Sequence, residues 1–331
     1  MKKVIYDCDN TMGISNRDID DGLALLYLIN NPEVELLGVT CTYGNDRLDF
    51  VYEQTVKLME EIGSKIPVFK GRGGYVMEDY YGGVYKNTTS QNSEELFENE
   101  AAKFIVSMVN KYPEEVYILA TGSMQNLYDA GEIDPCIIPE VKKIVLMGGI
   151  TEALKFNDKI MNELNFSVCP EGAFNVLTRG TDVSVLTGNN CMDVAFTSEE
   201  FSSLKKRFEK ENLKNRFLLK KIEKWMREFE EAYDYDSIIL WDVIAAIYLT
   251  NPELFNDRYV SIKSEVKDFS TGYINIIGEF TENVTLSKED VHRIVERDLS
   301  VDINNGRNVI NLPTAISPEE VNKKMIEIVH G

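Results

Sequence analysis

Histidine is almost missing from this 331-residue chain: His292 and His330 are the only two. A zinc centre or an acid–base pair built on imidazole therefore has few places to form. Cysteine is sparse and odd in number, at positions 8, 41, 136, 169 and 191, without paired spacing. That argues against a disulfide framework, and with no leader-like segment it points to free thiols in a reducing cytoplasm. No apolar run is long enough to cross a bilayer. Basic residues are in deficit, 35 against 55 acidic, giving a net charge of -20. A field of that sign disfavours nucleic acid and anionic membrane as partners. Repeats, low-complexity stretches and linkers are missing too, so residues 1–331 read as one domain.

What the chain does have is acid, concentrated near its start. Val4 to Tyr6 is a short run of β-formers that reads as a buried strand, and Gly22 to Ile29 reads as a buried helix. Between them lie Asp7, Asp9, Asp18, Asp20 and Asp21. A loop at the carboxyl end of a first strand is where open α/β sheets place ligands. So many like charges repel unless a cation sits among them. With only oxygen donors at hand, that cation is Ca²⁺ or Mg²⁺ in preference to zinc. A solvated acidic loop with an Asp or Asn helix cap is the plainer alternative.

Strands and helices alternate along the chain. Strands are expected at Glu35–Thr42, Ile66–Lys70, Val116–Ala120, Lys143–Met147 and Val183–Thr187. Helices are expected at Asp49–Ile62, from Ser93 to about Tyr112, at Asn126–Gly131 and at Pro170–Thr178. This predicts an α/β fold: a Rossmann-like open sheet, mostly parallel, with helices on both faces. Strand after strand ends in a small or polar cluster, among them Tyr43-Gly44-Asn45, Thr121-Gly122-Ser123 and Gly148-Gly149. Residues 71–93 read as a surface loop carrying Tyr80, Tyr81 and Tyr85, and residues 150–170 as irregular. Residues 198–232 are a charged helical region in which Trp225, Phe229 and Tyr233 fall on one face, most simply toward a core. Trp241-Asp242 opens an apolar helix. Strands follow at Tyr259–Lys263, Gly272–Ile277 and Ser300–Ile303, and a last helix starts at Ser317.

Two resemblances follow from these residues. Asp7-Cys8-Asp9-Asn10-Thr11 after an apolar strand resembles the opening of haloacid-dehalogenase-type phosphatases, in which the first Asp is a nucleophile beside Mg²⁺. The lysine and late acidic pair of that family have no convincing counterpart. The chain as a whole is more similar to the nucleoside hydrolases. Asp7-Cys8-Asp9 followed by Asp20-Asp21 and an apolar helix carries that likeness. So do Tyr43-Gly44-Asn45, Thr121 to Leu127, Val145 to Gly149, Asn157, Glu163-Leu164-Asn165, Pro170 to Ala173 and Trp241-Asp242, all in order. Asn10 to Ile19 is longer than the family's usual spacer of about three residues.

The resemblance implies Ca²⁺-dependent cleavage of the N-glycosidic bond of ribonucleosides, to free base and ribose. It implies that Asp9, Asp21, the Thr121 carbonyl and Asp242 hold the metal, with Asp9 also the general base toward water. Asp20 and Asn165 would hold ribose hydroxyls, Asn157 and Glu163 the 5′-hydroxyl, and Asn45 would stand near the nucleophile. Turn and cap roles are the plainer alternative for Asn45, Asn157 and Glu163. Many family members carry His where this chain has Trp241, and Trp there is similar to the purine-preferring branch. Trp241 would act on the leaving base by stacking, with Trp225, Tyr80, Tyr81 or Tyr85 opposite. Asp18 is an alternative ligand. The partner is a small nucleoside, and the family likeness implies a homodimer or homotetramer. A Mg²⁺-dependent phosphohydrolase and a nucleoside-binding protein without turnover remain the competing functions.

Overall fold

Strand β1 (Lys2–Cys8) sends Val4, Tyr6 and Cys8 into one apolar layer and Ile5 into another, and all four side chains are fully buried. Burial on both faces is the condition of a central parallel strand, which is why the run is apolar without alternation. The computed structural model describes residues 1–77, 85–87, 98–210, 216–279 and 307–326. Among them, the main sheet also contains β2 (Val34–Cys41), β3 (Val68–Lys70), β4 (Val116–Ala120), β5 (Lys143–Met147), β6 (Val183–Leu186), β7 (Tyr259–Lys263), β8 (Ile276–Glu279) and β9 (Arg307–Asn311). Its order is β8-β7-β9-β6-β5-β4-β1-β2-β3. The run from β9 to β3 is parallel, and β7 pairs antiparallel with β9 and β8.

Helices cover both faces. On one side α1 (Asp20–Asn30) packs with a late apolar helix (Trp241–Thr250) against Val4, Tyr6, Leu119 and Val145. On the other, helices Glu100–Lys111, Gln125–Ile133 and Pro170–Arg179 cover Ile5, Ile118, Ile144 and Val185. The expected mostly parallel α/β sheet is therefore the observed one. Successive strands run outward from β1 to β2 and β3, then return to its other side with β4. The crevice between β1 and β4 is thus the topological switch point, where ligands bind.

Several local expectations need correcting. Residues 154–161, expected to be irregular, form a hairpin of Leu154–Phe156 with Lys159–Met161. Its two-residue loop is Asn157-Asp158, and Asn157 takes the left-handed φ of 52° that Asn tolerates. The charged region divides into Ser198–Lys210 and Phe217–Tyr233 around residues outside the described set. Trp225, Phe229 and Tyr233 are buried in the core. Helix Glu100–Lys111 is capped by the Asn99 side chain, which accepts from Ala102 N at 2.9 Å. The Ser93 start and the Ser300–Ile303 strand lie outside the described residues, and the strand expected from Gly272 begins at Ile276. The last helix spans Pro318–Ile326.

Candidate functional site

The switch-point crevice opens into a cavity lined by Asp18, Asp20, Asn45, Thr121, Met147, Leu154, Met161, Asn162, Glu163, Leu164, Asn165, Trp241 and Asp242. Element ends bring these acids and amides together: Asp20 is in the first turn of α1, Asn45 follows β2, Thr121 follows β4, and Asp242 opens the late apolar helix. Asp9, which follows β1, and Asp21, beside Asp20, are fully buried directly behind these residues and do not themselves line the cavity. Carboxylates in the first turn of a helix are favoured by its positive end.

Asp9, Asp18, Asp20, Asp21 and Asp242 are all buried. Oxygens of Asp20, Asp21 and Asp242 lie within 4.8 Å of one another. Asp9 stands against Asp21: its backbone N–H donates to Asp21 Oδ1 at 3.2 Å. Asn45 joins the two, with its backbone N–H on Asp9 Oδ2 at 2.6 Å and its amide on Asp9 Oδ1 at 3.3 Å and Asp21 Oδ2 at 3.1 Å. The Thr121 hydroxyl donates to Asp21 Oδ1 at 2.9 Å, and Asp20 Oδ2 accepts the Asp242 backbone N–H at 3.0 Å.

Burial, and after it the neighbouring carboxylates, hold Asp9, Asp18 and Asp242 well above the usual carboxylate range. Burial and Asp20 push Asp21 to about 7. Among the described residues no Lys or Arg is ion-paired with any of the five. Five buried acids without a basic partner cannot all be charged together. A hard divalent cation fits this all-oxygen set and supplies the missing charge.

Gly44 shows how tightly the set is packed. Its φ is 153°, and a Cβ there would lie 2.2 Å from Asp9 Oδ2. Gly44→Ala is therefore expected to displace the Asp9 carboxylate and weaken divalent-cation binding at least about tenfold, while the rest of the fold persists. Calorimetric titration checks this; unchanged affinity would show that Asp9 does not contribute to the cation site.

The remaining expected residues divide. Asn165 donates from its amide to Thr121 O at 2.8 Å and Met147 O at 2.9 Å, tying the ends of β4 and β5 together at the cavity. Glu163 lines the cavity, but its carboxylate accepts three backbone N–H groups, from Gly149 at 2.9 Å, Phe166 at 2.8 Å and Ser167 at 2.9 Å. These bonds are turn chemistry, its plainer alternative, made by a side chain that also stands on the cavity wall. Asn157 is not brought to the cavity: it is exposed at the hairpin tip and its amide donates to Asp234 O. Asn162 lines the wall instead.

Trp241 lines the cavity and is 6% exposed. Phe156 meets it edge to face, with ring centroids 6.3 Å apart at 90°. Trp225 is a core residue and does not face Trp241. Tyr80 and Tyr81, like His292 and His330, lie outside the described residues, and only the backbone of Tyr85 is described. Leu154 and Met161 were missed as wall residues. Part of their signal was available: Leu154-Lys155-Phe156 alternates and runs into the turn-forming pair Asn157-Asp158.

Asp7 is fully buried, accepting from Thr40 Oγ1 at 2.6 Å and Asn126 Nδ2 at 2.8 Å, and it does not line the cavity. The phosphatase reading, which needs Asp7 as nucleophile, is set aside by the likenesses that follow.

The family model for inosine-uridine preferring nucleoside hydrolases matches residues 4–310. A probable uridine nucleosidase 1 of Oryza sativa subsp. japonica is 30% identical over 271 residues, covering 77% of this chain and 81% of that one. An inosine-uridine preferring nucleoside hydrolase of Leishmania major is 24% identical over 290 residues, covering 83% and 87%. A purine-preferring ribonucleoside hydrolase from Gardnerella vaginalis shares the fold, with a TM-score of 0.72 at 21% identity over 99% of this chain and 98% of that one. The chain belongs to the inosine-uridine preferring nucleoside hydrolase family, whose members are N-glycosidases acting on ribonucleosides.

Proposed function

We propose that the protein is a Ca²⁺-dependent ribonucleoside hydrolase that favours purine bases. The observation that supports it most is one cavity at the switch point whose lining holds both carboxylates and, among apolar residues, Trp241. Asp9, Asp21, the Thr121 carbonyl and Asp242 would hold the cation. Asp20, with an oxygen within 4.8 Å of one each from Asp21 and Asp242, is a further donor. When bound, Ca²⁺ supplies Lewis acidity toward water and toward the ribose diol.

The chain's own residues do the rest. Asp9 takes a proton from the attacking water as general base. Asn45 fixes the Asp9 carboxylate through both of its N–H sources. Asp20 accepts a ribose hydroxyl, and Asn165 does so with its side-chain oxygen, because its amide hydrogens are given to Thr121 and Met147. Positive charge grows on the ribosyl carbon as the bond breaks, as in other glycoside hydrolyses, and the acidic wall stabilises it. Met147, Leu154, Met161 and Trp241 give the leaving base an apolar, aromatic seat.

An aromatic face favours a base that is gaining a proton, through attraction of its π density for the cation. Trp241→Ala is thus expected to lower kcat strongly on inosine or guanosine and barely on a nitrophenyl riboside, whose leaving group needs no proton. Equal losses on both substrates would make Trp241 a packing residue only. A nucleoside panel scored by reducing-sugar release, with and without a calcium chelator, tests the whole reading. Binding without release would leave a nucleoside-binding protein, and fast uridine with slow inosine turnover would reverse the base preference.

A further inference from the structure

The Asn10–Ile19 insert is a built loop with contacts on three sides. Inside, the Thr11 hydroxyl donates to Asp18 O at 2.8 Å, and Met12 sits so close to Gly22 in the first turn of α1 that a Cβ there would lie 2.6 Å from Met12 Cε. Asn10 reaches Thr55 Oγ1 at 3.3 Å, and Arg17 pairs with Asp46 at 3.4 Å, next to cavity residue Asn45. Asp18 ends the insert, with its Oδ1 accepting the backbone N–H groups of Ile19 at 2.6 Å and Asp20 at 3.3 Å.

The outer side of the insert rests on one helix, Phe217–Tyr233. The Asn16 backbone N–H, at a residue with φ of 56°, donates to Glu228 Oε2 at 3.1 Å. Lys224 Nζ donates to Ser15 Oγ at 2.6 Å and pairs with Glu228 at 3.4 Å. The same helix supports the aromatic part of the lining. Phe229 and Tyr233 hold Phe156 at 5.2 and 5.3 Å, and Phe156 meets Trp241. Lys159 from the hairpin binds Ala232 O near the helix's carboxyl end, and Asn157 binds Asp234 O, on the residue that caps it.

We infer that helix Phe217–Tyr233 is the positioning element of the ribose wall, with Glu228 and Lys224 as positioning residues that hold the insert and, through it, Asp18 and Asp20. This rests on the reading of the cavity as a ribonucleoside site. Neither side chain lines the cavity. Their effect passes along a short covalent path: Asn16 is held, the chain at Asp18 is fixed, and the carboxylates that open α1 keep their place. A misplacement of about 1 Å at such a wall can cost up to about 100-fold in rate.

The test uses the full chain with Glu228→Ala, Glu228→Gln and Lys224→Ala, assayed with calcium on inosine and on a nitrophenyl riboside. Amide hydrogen exchange of residues 10–21 is read alongside. Glu228→Ala is expected to lose about 10- to 100-fold in kcat/KM by the same factor on both substrates, because the ribose is common to them. Exchange in residues 10–21 should rise while the melting temperature changes little. Glu228→Gln keeps an oxygen that accepts from Asn16 and should restore both readouts; Lys224→Ala should show a smaller version of the alanine defect. Activity within about twofold of wild type with unchanged exchange would overturn the inference. So would an equal defect in the glutamine variant, or a defect confined to inosine. If the wild-type chain releases no ribose from either substrate, the parent reading falls and the exchange data alone decide whether the brace exists.

Discussion

Asp9→Asn should lower kcat by about 10²- to 10⁴-fold, the usual cost of losing a general base, and impaired cation binding should deepen the loss. The variant should still fold. The new amide has nearly the size of the carboxylate, and its oxygen can occupy the Oδ2 position and keep the bond from Asn45 N, now 2.6 Å. Its NH₂ then faces the Asn45 amide and cannot take a proton from water. Far-UV circular dichroism and the melting curve establish the fold, and steady-state kinetics on inosine establish the loss. A variant that keeps more than about a tenth of the wild-type kcat would remove Asp9 from the role of base.

Chelation of the metal should abolish turnover and lower the melting temperature, and added Ca²⁺ should reverse both. The cause is the crowding of Asp9, Asp18, Asp20, Asp21 and Asp242, all buried and without a basic partner among the described residues. A cation that binds only the folded chain stabilises it by about 2.7 kcal/mol at 100 times its dissociation constant. In a chain of this size that is a rise of roughly 4 °C. Differential scanning calorimetry across a calcium titration measures it. Turnover and melting temperature both indifferent to chelator would eliminate the metal, and full recovery with Mg²⁺ but not Ca²⁺ would change its identity.

The sheet was legible because its strands are short apolar runs divided by helices, and each ends in a polar cluster at the same edge. The carboxylate cluster was legible for the same reason: Asp9, Asp20, Asp21, Thr121 and Asp242 sit at element ends, so chain order alone predicts a common edge. Asn157 was misplaced because its spacing from Glu163 says nothing about direction. In the structure it occupies the left-handed corner of a hairpin, and its amide is taken by a helix end. The dual support of the walls by helix Phe217–Tyr233 was not legible either. Glu228 and Lys224 look like ordinary charges of a solvated face, and only the long-range pairing with Asn16 and Ser15 gives them a position.

The strand order has a consequence for how the chain is made. β1 obtains one neighbour, β2, as soon as residue 41 has been synthesised, but its other neighbour, β4, is not complete until residue 120. At ribosomal rates of about 5–20 residues per second, its apolar edge waits on the order of ten seconds for cover. During that time it is a site for mispairing with other nascent chains. Asp242 comes later still, so a cation cannot meet the clustered oxygens of Asp20, Asp21 and Asp242 early enough to shorten the wait. A divalent cation in the medium should therefore not rescue a fragment that stops short of Trp241.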